Sequence, residues 1–280
     1  MTEHKLNREQ IRDFAHYLKN EERAPGTIEK YLRDVNAFAA WLDGRPVTKE
    51  LAALWKEHLL LTHMPGTVNS MLASVNALFR FLGWEECRVK ALKLQRQLFR
   101  DSAKELTREE YARLLNTART LGRHRLFLLM ETICATGIRV SEVKYITVEA
   151  LRIGRATVSL KGKIRSILIP NKLCRKLLKY AQKQKIVSGE VFLTRNETGL
   201  SRKQIWAEMK ALCEKAGVEP SKVFPHNLRH LFARTFYKAC KDVAKLADVL
   251  GHSSIDTTRI YLLTTGTEHA QQLERLGLVS

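Results

Sequence analysis

The strongest constraint on the fold is a run of helix start and stop signals in residues 225–261, PHNLRHLFARTFYKACKDVAKLADVLGHSSIDTTRIY. Pro225 is tolerated in the first turn of a helix but not in its interior, so a helix is predicted to begin beside His226. Asp242 is a typical N-cap residue, and Gly251 is typical of the left-handed position that follows a helix end. The stretch therefore predicts two helices whose ends the sequence itself marks.

Four side chains suited to phosphate chemistry lie at or near the ends of these predicted helices. Arg229 follows His226 by three residues and lies on the same helix face, so an imidazole and a guanidinium fork can converge on one anion. His252 comes directly after the second helix stop, where the chain must change direction. Two serines can then cap a further short helix, which brings the phenol of Tyr261 back toward the other three groups.

Each of these four residues also has a plain structural explanation, as a cap, a surface charge or one of seven ordinary tyrosines. Together, however, HNLRH, VLGHSS and a tyrosine nine residues after His252 resemble the ordered signature of the tyrosine recombinase family, the phage-type integrases. The resemblance implies that Tyr261 is a nucleophile that attacks a DNA phosphodiester. It also implies that His226, Arg229 and His252 surround the scissile phosphate.

The charge of the chain independently favours a nucleic-acid partner. The formal net charge is +19 and no basic amphipathic segment dominates, so DNA or RNA is a better-matched polyanion than an anionic membrane. No apolar run reaches the roughly 18 residues that span a bilayer, and residues 1–20 are too charged for a secretory signal, so we expect a cytoplasmic protein. The cysteines are widely spaced without a C-x-x-C pair, which argues against a disulfide framework and a thiolate zinc site.

Residues 1–87 are predicted to form a small helical bundle. Apolar residues recur at helical spacing in 6–20 and 27–42, a third helix is predicted over 49–61, and Thr67 is predicted to cap a fourth after a break at the preceding Pro-Gly pair. The segments TIEKYLRDVNAFAAWL and TVNSMLASVNALFRFLGW resemble the SAM-like core-binding domain that the family places before its catalytic domain. The bundle is therefore expected to bind DNA.

Helical periodicity fades over residues 88–104, where six basic side chains face a single acid, Asp101. We predict a basic linker here, which is either simply solvated or a tether that follows the DNA backbone and lets two domains close around a duplex. The halves differ in charge: residues 1–104 carry 17 basic and 13 acidic side chains, a net +4, whereas residues 105–280 carry 31 and 16, a net +15. The second half is expected to bind DNA more strongly.

A further arginine is presented at a predicted turn in the second half. An apolar helix is predicted over 126–133, Gly137 stops it, and Arg139 follows the stop at once. The segment ATGIRVSEV resembles the part of the family signature that supplies the first catalytic arginine. Glu142, three residues on, is then expected to orient the Arg139 guanidinium through a charge-assisted hydrogen bond.

Residues 156–160 and 166–169 alternate in the manner of strands and predict a β-hairpin with a turn over 161–165. The resemblance implies that this is the hairpin whose lysine enters the active site. The turn is one residue shorter than the usual family pattern, and a leucine replaces a glycine before the lysine. Lys161 is preferred as that lysine, and Lys163 is the competing candidate.

Residues and resemblance together predict a mainly α protein with a small β-sheet: a helical core-binding domain over residues 1–87, a basic linker over 88–104, and a mixed α/β catalytic domain over 105–280.

The implied activity is site-specific recombination, in which DNA strands are cut and rejoined through a covalent 3′-phosphotyrosyl intermediate for integration, excision or resolution. No cofactor is expected, and no metal, because the sequence shows no Asp and Glu cluster suited to Mg²⁺. A type IB topoisomerase and a DNA-binding regulator that does not cut are the alternatives. The two-domain layout and the complete residue set favour a recombinase.

The implied partner is double-stranded DNA with paired recombination sites, held by a homo-tetramer or by a hetero-tetramer with a related recombinase. Exchange between two duplexes brings four protomers together, so neighbours must be coupled. After Tyr261 the sequence LLTTGTEHAQQLERLGLVS has an apolar stripe at near-helical spacing, formed by Ala270, Leu273, Leu276 and Leu278. This stripe packs either on its own domain or on the adjacent protomer, and the resemblance favours the second.

Overall fold

The computed structural model describes residues 4–94, 102–160, 163–252, 254–259, 261 and 274–275. The chain divides into two compact units, Met1–Arg96 and Gln97–Ser280. Most of the described residues are helical, and the strands among them form one small sheet, so the predicted fold class is confirmed. No helix in this described part is long and apolar enough to cross a membrane.

The first unit is built from α1 (Arg8–Asn20), α2 (Pro25–Leu42), α3 (Lys49–Thr62) and α4 (Pro65–Phe81). These helices pack around a core rich in aromatic rings. The ring of Phe38 lies 4.9 Å from that of Trp55 and 5.8 Å from that of Phe79, measured between centroids. Such tilted and edge-on pairs stabilise a core beyond the area they bury.

Helices α2 and α4 begin in the same way, with a proline in the first turn. Pro65 needs no hydrogen-bond acceptor there, and its fixed φ angle already suits a helix. The prediction that Thr67 caps this helix after a break is therefore wrong. Thr67 lies inside the first turn, where its N–H donates to the carbonyl of Met64 at 2.8 Å.

A buried carboxylate joins α2 to α4. Asp34 is 3% exposed and accepts hydrogen bonds from the Lys30 ammonium at 2.7 Å and from the Ser74 hydroxyl at 2.8 Å. Lys30 also donates to the carbonyl of Ser70 at 2.8 Å. Because the buried charge is paired and hydrogen-bonded, its desolvation is offset, and the network holds the two helices together.

The beginning of the segment predicted to be a linker is fastened to this bundle. The side-chain amide of Asn76 pairs with both backbone groups of Val89, at 2.8 and 3.0 Å. Asn69 pairs in the same way with Leu92, at 3.0 and 2.7 Å. Val89 is buried in the core of the unit. Two asparagine side chains thus bind the extended chain that follows the 3₁₀ helix Glu85–Cys87.

The second unit holds the other described helices: α5 (Arg108–Thr120), α6 (His124–Thr136), α7 (Val148–Ile153), α8 (Asn171–Lys183), α9 (Arg202–Lys210), α10 (Cys213–Ala216), α11 (Pro225–Cys240), α12 (Val243–Leu250) and α13 (Ile255–Arg259). It also contains the 3₁₀ helices Ser102–Lys104, Val140–Tyr145 and Pro220–Lys222. Helix α6 is buried on most sides and packs against α5 and α11. At the start of α5, Thr107 and Glu110 form reciprocal side-chain to backbone hydrogen bonds at 3.1 and 2.8 Å, which stabilise the first turn.

Strands β1 (Arg155–Leu160) and β2 (Lys163–Leu168) form an antiparallel hairpin, in which Leu160 pairs with Lys163. The prediction of a five-residue turn over 161–165 is therefore wrong, because β2 already begins at Lys163.

The side chains of β2 show why these residues belong to a strand. Ile167 is buried and the side chain of Arg165 is 16% exposed, whereas Ile164 is 76% exposed, as expected when successive side chains point to opposite faces. The preferred hairpin lysine, Lys161, lies outside the described residues. Lys163 is placed only as the first residue of β2, so the choice between the two lysines stays a prediction.

The helix boundaries predicted around residues 225–261 are confirmed. Helix α11 begins at Pro225, and the Asp242 carboxylate accepts a backbone N–H in the first turn of α12 at 3.0 Å. Gly251 follows α12 with a φ of 63°, in the left-handed region that glycine adopts without steric cost. The chain then enters α13, where the Ser254 hydroxyl accepts a backbone N–H at 3.2 Å. The other predicted cap, Ser253, lies outside the described residues.

Candidate active site

Arg229 lies at the centre of the site and is almost fully buried, with 1% of its surface exposed. It projects from α11 and donates hydrogen bonds to the carbonyls of Gly137 and Leu250, the second at 2.8 Å. These carbonyls lie at the C-terminal ends of α6 and α12, where the unpaired carbonyls of a helix carry partial negative charge. The guanidinium therefore ties two helix ends together.

His252 lies beside this guanidinium, just after the end of α12. Nη2 of Arg229 donates to its Nε2 at 3.0 Å, and its Nδ1 lies 2.8 Å from the hydroxyl of the buried Thr258. A guanidinium can only donate, so Nε2 is the acceptor and the ring is neutral, with its proton on Nδ1. Burial, followed by the charges of Arg229 and Arg139, lowers the pKa of His252 to about 4.

Tyr261 closes the site from the side of α13. It is 3% exposed, and its ring stacks on that of His252 with centroids 5.7 Å apart and planes within 9°. A second histidine, His230, meets the same ring edge-on, with centroids 4.6 Å apart and planes at 72°. The phenol is thus held between two imidazoles, one of which hydrogen-bonds to Arg229.

His226 completes the imidazole cluster from the first turn of α11. Its ring lies 4.6 Å from that of His230 and 6.5 Å from that of Tyr261, between centroids. Burial, then the charges of Arg229 and Arg139, lowers the pKa of His226. His230 is not among the site residues predicted from the sequence, although it stands four residues after His226 in HNLRH, a spacing that places both on one helix face.

Arg139 approaches from the turn after α6, as the sequence predicted. Its Nη1 donates to Oε1 of Glu142 at 2.9 Å, its backbone N–H donates to Oε2 at 2.8 Å, and its Nη2 donates to the carbonyl of Gly251 at 3.2 Å. The side chain remains 40% exposed, unlike that of Arg229. Arg139 is therefore oriented by protein contacts yet open to an anion from outside.

Glu142 also holds Arg165, which is not among the site residues predicted from the sequence. Glu142 is 2% exposed, and its Oε2 also accepts a hydrogen bond from Nη2 of Arg165, on β2. Burial alone raises the pKa of this carboxyl, but hydrogen bonds from the Arg139 backbone and from Arg165 outweigh it and lower the pKa. The only sequence signal for Arg165 is its inward position in an alternating strand, which by itself does not indicate a partner.

The described residues thus bring together Arg139, His226, Arg229, His252 and Tyr261, whereas Lys161 lies outside them. Three guanidinium groups and the carboxylate of Glu142 leave the cluster positively charged. His226 and His252 add little charge at neutral pH, because the pKa of both is lowered. Such a cluster suits an anion that gains charge during a reaction, as a phosphodiester does under nucleophilic attack.

Two family models match the chain. The model described as "Phage integrase family" matches residues 104–267, and the one described as "Phage integrase, N-terminal SAM-like domain" matches residues 11–86. The tyrosine recombinase XerA of Thermococcus kodakarensis is 31% identical over 279 residues, which cover 95% of this chain and 94% of that protein. The chain therefore belongs to the phage integrase family.

Solved structures agree with this in fold. The XerH site-specific recombinase bound to difH substrate matches with a TM-score of 0.70 at 18% identity, over 95% of this chain and 84% of that one. A lambda integrase tetramer bound to a Holliday junction matches with a TM-score of 0.73 at 18% identity, over 90% and 76%. As a member of its family, the protein is a tyrosine-type site-specific DNA recombinase, and the topoisomerase and regulator alternatives are set aside.

Proposed function

We propose that this recombinase cuts a DNA strand by attack of the Tyr261 phenol oxygen on a phosphodiester. A bond forms between that oxygen and phosphorus, the bond to the 5′-oxygen breaks, and the enzyme keeps the 3′-phosphate. The observation that carries this proposal is the placement of the Tyr261 ring, which stacks on His252 while His252 accepts a hydrogen bond from Arg229. A nucleophile is thereby held against a preorganised positive cluster.

The arginines stabilise the negative charge that develops in the transition state. Arg139 is the more exposed, so it contacts a non-bridging oxygen directly, with Glu142 fixing its direction. Arg229 is buried beneath the phenol and the imidazole, so it contributes its charge and the orientation of His252. Fixed donors of this kind need no reorganisation during the reaction, and removing one typically costs roughly 10² to 10³-fold in rate.

Two further groups handle protons. His226 is neutral at pH 7, because its pKa is lowered, and so it can accept the proton that the Tyr261 phenol loses. Lys161, which follows β1 in the sequence, donates a proton to the departing 5′-oxygen, which is otherwise a poor leaving group. The phosphotyrosyl bond conserves the energy of the broken bond, so a 5′-hydroxyl from another strand can reseal the DNA without ATP.

The first unit contributes a basic surface for double-stranded DNA. A groove of about 630 Å³ between α2 and the start of α4 is lined by residues that include Lys30, Arg33, His63 and Thr67. Arg33 pairs with Asp34 at 3.3 Å, yet 74% of its side chain stays exposed at the groove, where it can also meet a phosphate. Contacts of this kind supply most of the sequence-independent affinity for DNA.

Strand exchange is proposed to take place in a tetramer on paired recombination sites, formed by this chain alone or with a related recombinase. The lambda integrase tetramer on a Holliday junction shares the fold, which supports this arrangement by similarity. Each duplex needs two cuts on opposite strands, so two duplexes need four nucleophiles. The reaction is integration, excision or resolution, according to how the paired sites are arranged.

Covalent trapping tests the assignment of the nucleophile. On a nicked suicide substrate, the wild-type protein is expected to form a protein–DNA adduct that survives a denaturing gel. Tyr261→Phe keeps the ring that packs against His252 and His230 but lacks the oxygen, so it should bind DNA normally and form no adduct. Tyr237→Phe, on α11, serves as the matched control. Adducts that persist with Tyr261→Phe would overturn the proposal.

A further inference from the structure

Strand β2 brings a third arginine to the site, and its contacts differ from those of the other two. The Arg165 side chain is 16% exposed, with Nη2 bound to Glu142 and Nη1 donating to the carbonyl of Val249 at 3.1 Å. Glu142 in turn binds Arg139, and Val249 lies three residues before His252. One guanidinium therefore connects the carboxylate that orients Arg139 with the end of the helix that leads to His252.

We infer that Arg165 is a positioning residue that locks Arg139 and His252 to the hairpin, an inference that rests on the proposed function. It acts through Glu142 on one side and through the end of α12 on the other. Arg165 itself has both Nη groups engaged by the protein and is nearly buried, so it sets the geometry of the site rather than contacting the phosphate.

Close packing at Gly251 supports this role. A Cβ atom built on Gly251 would lie 2.3 Å from Cδ and 2.8 Å from Nη1 of Arg165, so the arginine lies directly against this peptide. The carbonyl of the same residue accepts the hydrogen bond from Nη2 of Arg139. Arg165 and Arg139 thus hold the turn that leads into His252 from two sides.

The bridge requires the shape of arginine as well as its charge. Two acceptors, a carboxylate and a backbone carbonyl, lie in different directions, and the planar fork of a guanidinium reaches both at once. A lysine presents one nitrogen on a flexible stem and cannot hold both acceptors in fixed positions. The Nε atom of Arg165 is buried and has no hydrogen-bond partner among the described residues. The two Nη groups therefore make the hydrogen bonds that hold this side chain.

The test measures adduct formation at saturating protein on three nicked suicide substrates. One carries an ordinary scissile phosphodiester, one a neutral methylphosphonate at that position, and one a 5′-bridging phosphorothioate, whose sulfur leaves without an acid. The variants are Arg165→Met, Arg165→Lys, Glu142→Gln and the double variant Glu142→Gln with Arg165→Met. The matched control is Arg155→Met, because Arg155 is an exposed arginine on the partner strand β1.

Arg165→Met is expected to slow adduct formation on the ordinary substrate by roughly 10 to 10²-fold, because a displacement of about 1 Å has effects of this size. The loss should shrink to a few-fold on the methylphosphonate, which has less charge to stabilise, and should persist on the phosphorothioate. Arg165→Lys should behave like Arg165→Met. The double variant should lose less than the product of the two single losses, because Arg165 acts in part through Glu142 and the two effects overlap.

Other outcomes overturn the inference. Equal slowing on all three substrates together with a lower melting temperature would make Arg165 an ordinary stabilising residue. Rescue by the phosphorothioate would mean that it acts through the hairpin lysine, and full activity of Arg165→Lys would mean that charge alone matters. If Arg165→Met fails to fold, Arg165→Gln takes its place in the same assays. Failure of the proposed function would be distinguishable from these outcomes, because the wild-type protein would then give no Tyr261-dependent adduct.

Discussion

Arg229 is a full positive charge that the fold has removed from water. Burial of an ion is costly unless hydrogen bonds replace those of the solvent, and here the carbonyl ends of α6 and α12 replace them. Burial lowers the pKa of Arg229 below its ordinary value, and the neighbouring Tyr261 side chain opposes that shift. Tyr261, the proposed nucleophile, stacks on the imidazole that this buried charge contacts.

The neutral state of His252 makes the stability of the protein depend on pH. Its pKa falls from the ordinary 6.5 to about 4 on folding, so between these values the unfolded chain binds more protons than the folded one. Stability is expected to be fully present above pH 6.5 and to decline as the pH falls toward 4. The melting temperature should therefore be lower at pH 4.5 than at pH 7.5.

The variant His252→Asn should reduce this pH dependence, because it removes the titrating group while it keeps a polar side chain beside Arg229. Some dependence will remain, since the pKa of His226 is also lowered. The exposed His124 provides the control, and His124→Asn should leave the pH profile unchanged. An unaltered profile in His252→Asn, measured by thermal unfolding from pH 4.5 to 7.5, would contradict the assignment of the neutral ring.

The residues that the sequence identified are those whose position follows from local signals. Arg139 lies two residues after Gly137 and His252 lies one residue after Gly251, and both glycines end helices, so the position of each side chain at a turn could be predicted. Arg165 and His230 have no such signal. Their importance arises from partners distant in sequence, Glu142 and Tyr261, which only the tertiary structure brings close.

Helices were predictable here because their ends are set by side chains close in sequence. The Asp242 cap, the Gly251 stop and the reciprocal bonds between Thr107 and Glu110 all act within one turn. The prediction failed at Thr67, where two start signals compete and the proline prevails. It failed again in the hairpin, because pairing across the sheet rather than local turn chemistry decides where β2 begins.

The hairpin provides a test of the proposed acid that protonates the leaving group. The candidates for this acid are Lys161 and Lys163. Lys161→Ala is expected to slow cleavage of an ordinary phosphodiester by roughly 10² to 10⁴-fold, because the 5′-oxygen then leaves without a proton. A 5′-bridging phosphorothioate should restore the rate of this variant, since a thiolate leaves unaided. Arg229→Ala should not be restored, because its deficit lies in charge stabilisation.

Lys163→Ala is the comparison that fixes the register of the lysine. Lys163 is the first residue of β2 and is the other candidate for the acid. Rescue of Lys163→Ala in place of Lys161→Ala would assign the acid to Lys163. Rescue of neither variant would mean that the hairpin does not supply the acid at all.

The two units carry unequal shares of the positive charge. Residues 105–280 have a net charge of +15 and residues 1–104 a net charge of +4, so we expect the part with the Arg229 cluster to attract DNA more strongly. In the first unit Lys30 forms an ion pair with Asp34, and Arg33 lines a groove. The difference in net charge between the two parts could be predicted from the sequence, because net charge is counted from the residues alone.

Deletion of residues 268–280 tests the assembly of the proposed tetramer. These residues lie almost entirely outside the described part of the chain, and their sequence carries an apolar stripe soon after Tyr261. If the stripe docks on an adjacent protomer, the deletion should leave binding of a single protomer nearly intact while it abolishes cooperative occupancy and synapsis in a gel-shift titration. Leu273→Asp should reproduce the loss, and Glu274→Gln, at an exposed neighbouring position off the stripe, should not. Equal loss of single-protomer binding, together with a lowered melting temperature, would show instead that the stripe packs on its own domain.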